Sequence, residues 1–183
     1  EHINRLGSYA KILAKGLMRN PKYSNFINRR YIDDLFASAP LHDIGKVGID
    51  DAILKKKGPL DESEQLQMKK HVELGYQTIH AIKEQFPQAT FLEMGLAIIK
   101  SHHEKFDGTG YPDGLKGEEI PLSARIVALA DYYDALVSER VYKKAFSHQD
   151  AFKEIVSLKG THFDPEIVDV FIEYHQEFKK LNP

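Results

Sequence analysis

Cysteine is absent from the 183 residues, so neither a disulfide framework nor a thiolate zinc site can exist, and any metal must be held by nitrogen and oxygen. A thiol-free chain suits a reducing cytosol, and a cytoplasmic location is expected. Long apolar runs are missing as well. The strongest, Leu92 to Ile99, is interrupted by Glu93 and falls far short of the ~20 residues a membrane span needs, so no membrane contact by this domain is expected. Nor is there an excess of positive charge: Lys and Arg total 25 against 27 Asp and Glu, a net charge of −2. That rules out the broad basic surface which holds a protein on DNA or RNA by counterion release. Repeats, low-complexity tracts and useful strand-like alternation are also lacking. The chain opens at Glu1 without Met or a signal-peptide pattern, its first helical stripe already under way. It is read as a single domain, 1–183, excised from a longer protein whose N-terminal sensor, receiver or membrane-linked region governs activity.

What is present is three- and four-residue periodicity, which predicts an all-α domain of about seven to nine helices. Ile3, Leu6, Tyr9, Ala10, Leu13, Ala14 and Leu17 form one buried stripe, closed by Asn20-Pro21. A second helix is expected from Ser24 to Ala39, after which Leu41-His42-Asp43-Ile44-Gly45 sets a His-Asp pair among apolar residues. Asp50 suits the N-cap of a short turn, and Asp61 with Glu64 suits a capping box for one helix carrying Met68, His71, Val72 and Gly75. Phe91 to His103 reads as another helix. Four glycines and two prolines make Phe106 to Pro121 a loop, followed by helices at Leu122–Val137 with Ser123 as a cap, Ser147 to Leu158, and Pro165 to Lys180 behind Asp164.

Histidine is enriched, with nine in the chain. His71 lies 29 residues after His42, His102-His103 follows 31 later, and Asp131 lies 28 beyond His103, each at the margin or end of a predicted helix. Four helices offering inward imidazoles and carboxylates build dinuclear sites in bundles. A thiolate-free, imidazole-rich set suits Fe, Mn, Co, Ni or Zn, and one carboxylate can bridge two cations. Asp43 is the natural bridge, with His42 and Asp131 on one side and His71, His102 and His103 on the other. Such a pair acidifies a shared water and holds phosphodiester oxygens for in-line attack, the chemistry of a phosphohydrolase. Lys46, about one turn after Asp43, faces the same point, and Arg140, Lys143 and Lys144 suit a second phosphate. His80, His148, His162 and His175 are read as surface or structural, and Tyr132, Tyr133 and Tyr142 as core or rim aromatics.

These residues resemble the HD-GYP branch of the metal-dependent HD phosphohydrolases over nearly the whole chain. The likeness rests on Ala39 to Ile49 around His42-Asp43, on Met68-Lys69-Lys70-His71, and on His102-His103-Glu104 with Asp107 to Pro112. It extends through Ile120 to Ile126 and Ala130 to Leu136. The resemblance implies an HD-type helical bundle with extra C-terminal helices and a Gly-rich GYP loop. It implies a phosphodiesterase that hydrolyses cyclic di-GMP to pGpG and in some members to GMP, carrying iron or manganese.

By the same likeness Asp43 and Lys46 are catalytic, and Lys46, Tyr111, Arg140 and Lys143 contact substrate. Three-metal members add a His from the first helix, matched by His2, and a Glu one turn earlier. That Glu position lies outside the sequence and Glu1, about 100° round the helix, does not replace it, so two or three divalent metals both fit. Asn20 to Asn28 looks longer than usual, and Val141 stands where the family often has Pro. The competing expectations are another cyclic dinucleotide such as cyclic GMP-AMP, or a weakly active module that docks a diguanylate cyclase through Gly110-Tyr111-Pro112. The apolar first helix also suits a homodimer.

Overall fold

The computed structural model describes residues 2–139 and 144–181, the side chains from residue 5 onward. The regular elements among them are helical: α1 (His2–Leu17), α2 (Pro21–Ser24), α3 (Arg29–Ser38), α4 (Asp51–Leu54), α5 (Glu62–Lys69), α6 (His71–Gln85), α7 (Thr90–Ser101), α8 (Leu122–Val137), α9 (His148–Ser157) and α10 (Pro165–Leu181). Short 3-10 segments occupy 39–41, 44–48 and 117–119, and the β structure is limited to an isolated Lys159–Phe163 bridge. No helix among the described residues is long and apolar enough to cross a membrane.

The α1 stripe is buried as its spacing requires: Leu6, Tyr9, Ala10, Leu13, Ala14 and Leu17 pack with Ile126, Leu129, Ala130 and Tyr133 of α8, and with Phe171 and Phe178 of α10. A second, smaller apolar cluster joins Ile79 of α6 to Leu92, Leu96 and Ile99 of α7, with Leu41 and Ile44 against it. Helix α7 belongs to both, because Ile98 faces the large cluster and Ile99 the small one. Its C-terminal end is thereby clamped from two sides.

Several local expectations hold. Asp50 accepts from Ala52 N, the Asp61–Glu64 capping box forms in both directions, and Ser147 caps α9. Others fail for identifiable reasons. The helix expected from Ser24 to Ala39 starts only at Arg29. Asn20 caps α2 with Pro21 behind it, and extended Asn28 then caps α3 by accepting from Tyr31 N, so two polar caps split one apolar stripe. The single helix expected around Met68 to Gly75 breaks at Lys70 into α5 and α6, with His71 at the new start. Ser123 does not cap α8; it is buried in the first turn. These splits yield ten α-helices among the described residues, two of them four-residue turns.

Two contacts fix the parts that carry the candidate site. Arg125 in α8 donates from Nε to Ile120 O at 2.9 Å and pairs with Asp164, which also accepts from Glu166 N at the start of α10. Gly45 sits so close to α6 that a Cβ there would lie 1.9 Å from His71 O and 2.4 Å from Gly75 N. Only glycine allows the 44–48 segment to rest on that backbone.

Candidate metal centre

The turn between the first two 3-10 segments carries His42 and Asp43, the start of α6 carries His71, the end of α7 leads into His102-His103, and α8 carries Asp131. These six side chains, remote in sequence, converge. Ligand atoms of Asp43, His71, His102 and His103 all lie within 4.8 Å of one another. Asp43 divides its oxygens: Oδ1 lies 3.5 Å from His71 Nε2 and 3.9 Å from His102 Nε2, and Oδ2 lies 3.2 Å from His42 Nε2. His42 Nε2 is also 3.5 Å from Asp131 Oδ1, and His103 Nε2 lies 3.2 Å from His71 Nε2.

The tautomers are set by the backbone. Nδ1 of His42 faces Ala39 O at 2.9 Å, Nδ1 of His71 faces Met68 O at 2.7 Å, and Nδ1 of His102 faces Ile98 O at 3.0 Å. A carbonyl only accepts, so each Nδ1 carries its proton, and in the neutral rings of His71 and His102 Nε2 turns a lone pair inward. Burial pushes His71 down, His102 well down, and His103 to about 3, the last two helped by neighbouring imidazoles. These three rings are neutral at pH 7 and free to ligate. Burial would also lower His42, but Asp131 and Asp43 outweigh it and raise it to about 10. Burial opposes ionisation of Asp43, yet His42 and then Lys46 hold its carboxyl well below the usual carboxylate range.

Three buried atoms at the focus, His42 Nε2, His102 Nε2 and Asp43 Oδ1, make no hydrogen bond among the described residues. A buried polar atom left unmatched costs about 1–3 kcal/mol, and three on adjoining residues of one cluster favour bound ligands there. Imidazole nitrogens and carboxylate oxygens are the donor set of borderline divalent cations, which these residues would hold.

Lys46 Nζ lies 2.5 Å from Asp43 Oδ2, at the solvent side of the cluster. The Tyr111 ring stacks on His103 with centroids 4.6 Å apart and planes 21° apart, and burial keeps its phenol protonated beyond the ordinary range. What holds this loop is a residue to which the sequence reading gave no role. Glu104 is buried, and its carboxylate accepts from the backbone N–H of Asp113 at 2.7 Å and of Gly114 and Leu115 at 3.1 Å each. Gly110 passes so close to the chain that a Cβ would meet Lys105 N at 2.3 Å. An acid directly after two candidate ligands and before a stretch rich in unpaired amides was the available signal.

The His2 side chain and residues Arg140 to Lys143, including the expectations attached to Val141 and Tyr142, lie outside the described residues. His148 and His175, read as lone, are paired: His148 Nε2 and His175 Nδ1 lie 3.0 Å apart, with Tyr133 OH on His148 Nδ1 at 2.8 Å. His162 stacks on Phe163.

A model of the HD domain family matches residues 13–167. A "Cyclic di-GMP phosphodiesterase" of Vibrio cholerae serotype O1 is 48% identical over 177 residues, which cover 97% of this chain and 36% of that protein. A "3'3'-cGAMP-specific phosphodiesterase 2" of the same organism is 37% identical over 97% of this chain and 31% of its own length. The chain thus spans about a third of these relatives. An HDG"Y"P protein of known structure from Bdellovibrio bacteriovorus superposes with a TM-score of 0.64 at 21% identity, covering 95% of this chain and 52% of that one, which speaks to the fold alone.

Proposed function

This chain belongs to the HD domain family, in its HD-GYP branch, and from that premise we propose that it is a metal-dependent phosphodiesterase which hydrolyses cyclic di-GMP to pGpG, the product assay deciding whether GMP follows. The observation that carries the reading is the convergence of ligand atoms of Asp43, His71, His102 and His103 within 4.8 Å of one another, the three imidazoles neutral.

His42, Asp43, His71, His102, His103 and Asp131 would hold two divalent cations; His2 would contribute to a third. Iron or manganese is the proposed metal. When bound, the pair supplies Lewis acidity that acidifies water and offsets charge on the phosphoryl oxygens. The protein's own groups do the rest. Lys46, already against Asp43 Oδ2, turns its remaining N–H donors to a non-bridging phosphoryl oxygen, where negative charge grows as the nucleophile adds. Tyr111, neutral and fixed on His103, offers an O–H donor and a ring face at the rim. Arg140 and Lys143 are proposed to bind the phosphate that is not cleaved. Water enters at phosphorus and the P–O3′ bond breaks, the 3′ oxygen leaving with a proton.

The test is incubation of the manganese-loaded or anaerobically iron-loaded protein with cyclic di-GMP and separation of the products. Appearance of pGpG that is abolished by Asp43→Ala supports the proposal, and turnover surviving that change refutes the assignment. The 37% identity to a cGAMP-specific enzyme favours a second reading, in which 3′3′-cGAMP is the substrate. Parallel assays on both dinucleotides separate the two. Docking of a diguanylate cyclase on Gly110-Tyr111-Pro112 is a distinct proposal, and binding that persists after metal removal is its signature.

A further inference from the structure

Lys69 stands two residues before His71, at the end of α5, and its ammonium lies 4.7 Å from the centre of the Tyr111 ring. That ring stacks on His103, whose Nε2 lies 3.2 Å from His71 Nε2. Lysine, phenol and imidazole therefore form one continuous stack from the rim to the metal-binding cluster. The backbone beneath Lys69 is fixed to the same cluster, because Met68 O accepts from His71 Nδ1.

The charge of Lys69 is uncommitted. Lys46 is held by Asp43, and Lys55, Lys56 and Lys100 lie against Asp51, Glu64 and Asp113. Lys69 has no carboxylate within ion-pair distance among the described residues; its partner is an aromatic face, which orients an ammonium without cancelling its charge. An anion arriving there displaces no existing salt bridge.

Building on the function proposed above, we infer that Lys69 is a substrate-binding residue which holds the second, uncleaved phosphate of a cyclic dinucleotide. The substrate is a closed ring with two phosphodiesters. When one is at Asp43 and Lys46, the ring carries the other to the rim at a fixed separation, where a positioned ammonium gives a charge-assisted hydrogen bond. This cation is additional to Arg140 and Lys143, and it makes recognition depend on a substrate with two phosphates.

The experiment compares wild type, Lys69→Met and Lys69→Arg, all manganese-loaded with metal content measured, on two substrates. Cyclic di-GMP has two phosphodiesters and bis(p-nitrophenyl) phosphate has one. The expected result is a rise of about tenfold in KM for cyclic di-GMP in Lys69→Met with kcat little changed, since a contact made equally in ground and transition states acts on KM. Kinetics on bis(p-nitrophenyl) phosphate stay at the wild-type level, and Lys69→Arg recovers most of the loss. Unchanged KM in Lys69→Met with an active wild type overturns this inference and leaves the proposed function standing. Equal losses on both substrates overturn it too, since Lys69 would then act through the cluster itself. A metal-loaded wild type inert toward cyclic di-GMP sinks the proposed function and this inference together.

Discussion

Replacing Gly45 by alanine perturbs the centre without changing any of its proposed ligand side chains. The new methyl would lie 1.9 Å from His71 O, 2.4 Å from Gly75 N and 2.9 Å from Gly75 Cα. All three are backbone atoms of α6, so no side chain can swing aside. Relief to ordinary contact at 3.4 Å requires the 44–48 segment and α6 to part by about 1.5 Å. Asp43 precedes Gly45 by two residues and His71 opens α6, so the shift falls on the Asp43 Oδ1–His71 Nε2 separation, now 3.5 Å. Overpacking of this kind costs about 1–3 kcal/mol, or roughly 3–10 °C in Tm for a chain of this size. A catalytic group misplaced by ~1 Å loses on the order of a hundredfold in rate. Thermal unfolding of the metal-free protein and turnover of the manganese-loaded protein read the two effects separately. Gly48→Ala is the control, because its methyl meets only the end of the Leu74 side chain, at 2.9 Å, and should cost less than about 1 kcal/mol. A Gly45→Ala protein with wild-type Tm and turnover would refute the close approach as the device that sets the cluster.

Glu104→Ala strips the acceptor from three backbone amides, so hydrogen exchange at residues 113–115 should rise and KM for cyclic di-GMP increase, with Glu104→Gln intermediate; unaltered exchange would count against the loop anchor. Arg125→Met leaves Asp164 buried without its partner and should destabilise the fold by about 3–5 kcal/mol, read as a fall in urea midpoint; a loss under ~1 kcal/mol would contradict it. Burial, then Lys105, lowers His162 from 6.5 to about 4. Between those values the unfolded chain binds a proton that the folded one refuses, so metal-free stability falls as pH drops from 6.5 to 4. His162→Leu should flatten that slope, and an unchanged slope would show that other groups set it.

How much was legible beforehand depended on whether the signal was local. The bounds of α8 follow from Ile126, Leu129, Ala130 and Tyr133 at helical spacing after Pro121, because a helix buried on most sides leaves an unbroken apolar record. The Asp61–Glu64 box and the Asp164-Pro165 start of α10 are likewise written in a few adjacent residues. The break at Lys70 was not. Nothing in Lys69-Lys70 disfavours helix, and the bounds that put His71 at the start of α6, 3.5 Å from Asp43 Oδ1, belong to tertiary packing. Asp43 and its partner histidines were visible as residue types, but their division between the two oxygens of Asp43 arises from the packing of four segments. Glu104 escaped notice because its partners are backbone amides, which are the same in every sequence. The His148–His175 pair went unseen because it bridges two helices whose packing periodicity alone does not give.

The most direct test of the central claim is the divalent metal content of anaerobically purified protein, measured beside the Asp43→Ala variant and paired with cyclic di-GMP turnover. The account predicts about two ions per chain in the wild type, with metal and turnover lost together in the variant. A wild type that takes up no metal, or a variant that keeps its full complement and its turnover, would contradict it.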